Sequence, residues 1–91
     1  MKRFLVELYV SRRKASDFES EVARVRAAAD DLLRRGVPVR HLRSLFLPEE
    51  ETCFHLFEAA GTEAVEEAVR SAGLECERIT LALDSETDVY A

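Results

Sequence analysis

An α+β fold is predicted for this chain by three observations. Segments of alternating hydrophobicity stand near both ends, at residues 3–10 and 76–84. Two stretches with helical spacing lie inside them. Between those, two apolar runs meet at an acidic turn led by Pro48. The order is β-α-β-β-α-β. Two right-handed crossovers with a hairpin between them give a four-stranded antiparallel sheet with both helices on one face, the ferredoxin-like arrangement.

Each element has its own signal. In the first strand, Phe4, Val6, Leu8 and Val10 alternate with Leu5, Glu7 and Tyr9. A basic loop, Ser11 to Lys14, follows. Ser16 and Glu19 have the spacing of a capping box. Phe18, Val22, Val25, Ala29 and Leu32 then recur on one helical stripe. Arg34 and Arg35 suit the negative end of the helix, and Gly36 supplies its stop. Pro38 cannot continue a helix, so Val39 to Leu47 reads as the second strand. Pro48 to Glu51 is the turn, and Thr52 to Ala59 the third strand. Gly61-Thr62 opens a second helix whose apolar face is Val65, Ala68, Val69 and Ala72, ended by Gly73. Cys76 to Asp84 is the fourth strand. The expected domain is 1–84, with a polar tail at 85–91 that carries a short strand near Val89-Tyr90.

Composition narrows the function. At 91 residues and 47% hydrophobic content, a single cored domain is expected rather than disorder. The net charge of −5 argues against nucleic acid as a partner. Residues 1–45 carry +5 and residues 46–91 carry −10, so complementary patches are available for self-association. There is no apolar run of membrane-spanning length, and the N-terminus does not read as a signal peptide, since Glu7 interrupts it and Arg12-Arg13-Lys14 follow. Two cysteines make no disulfide framework, so a reduced, cytoplasmic chain is expected.

The helices cover one sheet face, and the other must be read from alternation. With the hairpin turn at Glu49-Glu50, Leu45 falls opposite Phe54, Arg43 opposite Leu56, Ser44 opposite His55, and Phe46 opposite Cys53. The helix-facing set is then Phe4, Val6, Leu8, Leu45, Phe54, Leu56, Ile79 and Leu81. The open face carries Leu5, Glu7, Tyr9, Leu42, Ser44, Phe46, Cys53, His55, Phe57, Arg78, Thr80 and Ala82. Such a surface is too apolar to face water, so two copies are expected to pack sheet against sheet as a dimeric α+β barrel. Glu7, Cys53 and His55 would be trapped between them.

Those three residues form the first candidate site. Thiolate, imidazole and carboxylate suit a divalent transition metal, Ni²⁺, Zn²⁺ or Cu²⁺. The plain alternative is a satisfied histidine beside a buried thiol. His41, with Glu58 placed across from it, is a candidate edge metal site, or a surface ion pair. Glu49, Glu50 and Glu51 are either solvated or a hard-cation site. Arg12, Arg13 and Lys14 precede a helix N-terminus, where anions bind, or form a plain basic loop. For catalysis, Glu7 and His55 would be the acid–base pair of a cofactor-free monooxygenase, cyclase or isomerase acting on a small apolar metabolite, with Tyr9, Ser44 and Arg78 orienting it.

Three stretches, RFLVELYV, LRSLFLPEEETCFHLFEA and AVEEAVRSAGLECERI, resemble the small actinobacterial nickel-binding protein family, much of it catalogued as a domain of unknown function. The resemblance spans residues 3–83. It implies a ferredoxin-like subunit, a homodimer and bound nickel, and no established reaction. Glu7, Cys53 and Glu58 stand at matching motif positions. The chain departs from the pattern at Leu8, at Ser11 to Lys14, at His55, where relatives often carry Cys, and at Ala60-Gly61. The leading expectation is a homodimeric nickel-binding protein with Glu7, Cys53 and His55 as ligands. The others are the cofactor-free enzyme and a pure interaction module.

Overall fold

The computed structural model describes residues 1–85. Strand β1 runs Lys2–Tyr9, helix α1 Phe18–Arg34, β2 Val39–Leu47, β3 Thr52–Ala59, α2 Thr62–Ser71 and β4 Arg78–Ala82. The sheet order is β2-β3-β1-β4, and every neighbouring pair is antiparallel. This is the ferredoxin-like fold, with both helices on one face. The proposed strand near Val89-Tyr90 lies outside the described residues.

Both helices end in the same way. Gly36 and Gly73 take φ of 92° and 77°, the left-handed region that costs a glycine no Cβ clash. Val37 N–H donates to Leu32 O at 2.9 Å and Leu74 N–H to Val69 O at 3.1 Å, so each helix recovers a terminal carbonyl. Val37 and Leu74 then pack on the core. The start of α1 differs from the capping-box expectation. Ser16 lies in a 3₁₀ segment, Arg12–Asp17, capped by Ser11, whose Oγ accepts from Arg13 N–H at 3.2 Å. The helix proper starts at Phe18 with Asp17 before it. The short 3₁₀ turn consumes the residues that a longer helix would have used.

The core joins Phe4, Val6 and Leu8 of β1 to Val25, Ala29 and Leu32 of α1, to Val65, Ala68 and Val69 of α2, and to Ala72 just past its end. Burying each larger aliphatic or aromatic side chain of that set contributes about 1.5–3 kcal/mol. Strand β4 is shorter than expected. Leu81 is 56% and Leu83 98% exposed, because α2 does not extend over them.

The hairpin register of β2 and β3 is the expected one, with Leu45 opposite Phe54 and Ser44 opposite His55. Its phase against β1 is the reverse of the expected one. Phe4, Val6 and Leu8 pair with Phe57, His55 and Cys53. Directly paired residues share a face, so Cys53, His55 and Phe57 point at the helices together with Ser44 and Phe46. Leu45, Phe54 and Leu56 are on the open face with Leu5, Glu7 and Tyr9. A bulge between His41 and Arg43 adds Leu42 as an extra residue. The bulge lets His41 and Ser44 share the inward face, which strict alternation forbids.

Candidate metal centre

The inward face of β3 carries Cys53 and His55, both fully buried. Their partner comes from α1. Glu21 lies on the stripe that continues through Val25, Ala29 and Leu32, so the helix that packs its apolar face on the sheet also presses a carboxylate onto β3. Glu21 Oε2 lies 3.1 Å from His55 Nε2 and accepts from Cys53 Sγ at 3.4 Å, and Cys53 Sγ is 3.6 Å from His55 Nε2. The polar contacts continue past His55. Its Nδ1 meets Ser44 Oγ at 2.5 Å, Ser44 Oγ meets His41 Nε2 at 2.7 Å, and Arg26 Nε donates to His41 Nδ1 at 3.2 Å. All four ring nitrogens of the two histidines are therefore bonded. That matters, because a buried unmatched donor or acceptor costs about 1–3 kcal/mol. Phe18 stacks on Phe46 at 5.6 Å, and the His41 ring meets Phe57 edge to face at 5.5 Å.

Local electrostatics follow from this packing. The His55 hydrogen bond holds the Glu21 carboxyl below its usual range, helped by Cys53 and by the charge of Arg24, and outweighs the opposing effect of burial. Glu21 is ionised at neutral pH. Burial pushes the Cys53 thiol up to about 12, and the Glu21 carboxylate beside it adds to that. A thiol held that firmly protonated is a poor free nucleophile. Burial brings His41 down to about 4, reinforced by the charge of Arg26 and partly offset by the Arg43 carbonyl. His41 is neutral at pH 7.

The donor set fits a transition metal. One oxygen, one sulfur and one nitrogen lie within 4.8 Å of one another. Bond lengths of about 2.0–2.3 Å at tetrahedral angles place such donors about 3.3–3.6 Å apart. The observed separations of 3.1, 3.4 and 3.6 Å differ from this by no more than a few tenths of an ångström. Thiolate and imidazole favour Zn, Ni or Cu over the hard cations, which select oxygen. Glu21 also lines a cavity of about 620 Å³ bounded by Leu8, Val10, Phe18 and Leu74, with Lys14 and Arg24 on its wall. Cys53 and His55 touch Glu21 and do not themselves line the cavity.

The structure brings together two of the three residues first expected in this site. Glu7 is on the other face, opposite Phe54, where its Oε1 accepts from Arg78 Nη2 at 3.0 Å. It reaches neither Cys53 nor His55, so the acid–base pair of Glu7 and His55 is not formed. Ser44 is beside His55, while Tyr9 and Arg78 are on Glu7's side. Nor do His41 and Glu58 meet. His41 pairs with Phe57, and Glu58 pairs with Arg40 and binds Arg3 at 3.3 Å on the open face. In the acidic turn, Glu51 Oε2 accepts from Arg12 N–H at 3.0 Å and from Tyr9 Oη at 3.3 Å, so it ties the loop after β1 to the hairpin. Glu21 went unread in the sequence. The available signal was a carboxylate in register with Val25 and Ala29, placed where an apolar residue belongs.

No protein-family model and no curated protein matches the chain. Among solved structures, the fold is similar to the crystal structure of SCO4226 from Streptomyces coelicolor A3(2), with a TM-score of 0.76 at 18% sequence identity, over 91% of this chain and 98% of that one.

Proposed function

We propose that this protein binds a divalent transition metal through Glu21, Cys53 and His55, and that the ion is nickel. The three donor separations carry the metal reading. The choice of nickel comes from the resemblance of the sequence to the actinobacterial nickel-binding family, and Zn²⁺ and Cu²⁺ are the competitors. Bound there, the ion would supply Lewis acidity and an open coordination position beside the cavity. The chain's own part is to hold a carboxylate, a thiol and an imidazole together in a water-poor setting. Titration of Ni²⁺, Zn²⁺ and Cu²⁺ into purified protein by calorimetry tests this. One ion per chain at micromolar affinity or better is expected for Ni²⁺, with a thiolate-to-metal absorption band that Cys53→Ala removes. Affinity no better than millimolar for every ion would overturn the reading, and a preference for Zn²⁺ or Cu²⁺ would overturn nickel alone.

We further propose that the protein is a homodimer through its open sheet face. Tyr9 and Leu45 are 61% and 60% exposed there, beside Leu5, Leu47 and Phe54. A second copy covers such a patch at sheet-to-sheet distance. Since Cys53 and His55 face the helices, the metal centre belongs to one protomer and does not depend on the dimer.

A further inference from the structure

The contacts that run from Arg26 to Glu21 have a fixed direction. Arg26 is the anchor, because its guanidinium has only protons to give. Its Nε donates to His41 Nδ1 at 3.2 Å, and its Nη2 donates to the carbonyl of the bulged Leu42 at 3.4 Å. A nitrogen that accepts carries no proton, so the proton of neutral His41 is on Nε2 and is donated to Ser44 Oγ. Ser44 has one proton, and it goes to His55 Nδ1. The proton of His55 is therefore on Nε2, pointing at the Glu21 carboxylate. Every link has one donor and one acceptor, from a cation at the protein surface to a buried anion.

We propose that Arg26, acting through His41 and Ser44, keeps His55 Nδ1 an acceptor and thereby restrains metal binding at the centre. This rests on the reading of Glu21, Cys53 and His55 as a metal centre. The nitrogen of His55 that faces Glu21 and Cys53 is Nε2, the protonated one in this arrangement. Ligation through Nε2 moves the ring proton to Nδ1, with no net gain or loss by His55, and Cys53 gives up its thiol proton to solvent. Ser44 Oγ must then accept from both histidines, and its own proton loses its partner inside the fold. Without Arg26 that conflict disappears. His41 is free to hold its proton on Nδ1, Ser44 donates to His41 Nε2, and His55 donates from Nδ1 to Ser44. Arg26 and His41 are positioning residues that touch no ligand atom of the centre.

Arg26→Met tests this, since it keeps the aliphatic stem of an exposed residue and removes the donors. In metal-free protein Glu21 holds the His55 proton on Nε2 in both variants, so long-range ¹H–¹⁵N spectra are read on the Zn²⁺-loaded protein. The wild type is expected to show His41 protonated at Nε2 and R26M to show it protonated at Nδ1. R26M is expected to bind Ni²⁺ about tenfold more tightly. Loss of a positive charge alone also favours a cation, so the comparison is repeated in Ser44→Ala, where the link is cut. There R26M should change affinity by no more than about twofold. An unchanged Ni²⁺ affinity in R26M overturns the proposal, as does an equal affinity gain with and without Ser44. If neither the wild type nor R26M bound Ni²⁺ or Zn²⁺, the metal reading would fall and the proposal with it, whereas binding that R26M leaves unchanged would remove the control by Arg26 alone.

Discussion

The two faces of this sheet hold similar chemical groups in opposite settings. On the helix-covered face, Glu21 and His55 meet at 3.1 Å with His55 fully buried. On the open face, Glu7 and Arg78 meet at 3.0 Å with the arginine side chain 67% exposed. The distances are alike and the consequences are not. Water screens the exposed pair, and such pairs contribute about 0–1 kcal/mol. Little water reaches the buried pair, so removing one member strands the other. Proximity alone does not tell which carboxylate matters.

The largest expected effect follows from that contrast. Glu21→Ala leaves His55 Nε2 and Cys53 Sγ without their shared acceptor and should cost about 2–4 kcal/mol in urea unfolding. Glu7→Ala should cost under about 1 kcal/mol. Equal losses would mean that burial does not separate the two pairs.

Acid should sharpen the comparison. His41 is near 4 in the folded protein and near 6.5 when unfolded. Between those values the unfolded chain binds more protons, so stability falls as pH drops from about 6.5 toward 4. Glu21 is lowered on folding, so its contribution is present above its ordinary carboxylate range and is lost as pH falls through its folded value. Both terms belong to the covered face. Unfolding free energies at pH 7 and pH 4.5 should differ by roughly 1–3 kcal/mol. Replacing His41 with Gln should remove much of that slope, and an unchanged slope would place the acid sensitivity elsewhere. At high pH the Cys53 thiol acts the other way. Being raised on folding to about 12, its contribution is whole below 9 and is lost as pH climbs toward 12.

The smallest effect on folding is expected at the open face. Leu45→Glu replaces a residue already 60% exposed and should change monomer stability by about 0.5 kcal/mol or less. It should shift a sheet-to-sheet dimer to monomer in analytical ultracentrifugation. A wild type that sediments as a 10.3 kDa monomer at micromolar concentration would end the dimer proposal and leave the covered face untouched.

The element order, both glycine stops, the apolar face of α2 and the register of the hairpin were legible in the sequence. Each is set by neighbours a few residues apart: a helical period, a left-handed residue, a Pro-led turn. Cys53 and His55 were legible as a pair for the same reason, since residues two apart on a strand share a side. The side itself was not legible. Both faces of β3 are apolar enough for a core, with Phe54 and Leu56 on one and Phe57 on the other, so hydrophobicity could not rank them. The bulge at Leu42 broke the alternation that would have placed His41.

What the sequence determined by itself was a set of local structures and a short list of groups with metal or acid–base chemistry. The tertiary structure decided which of those groups meet. It paired Val6 with His55, turned β3 inward, and brought Glu21 from a helix more than thirty residues away in the chain. The physical reason is that strand phase and helix docking are fixed by long-range pairing. A one-residue change of phase reverses every side chain of a strand without altering its local propensity.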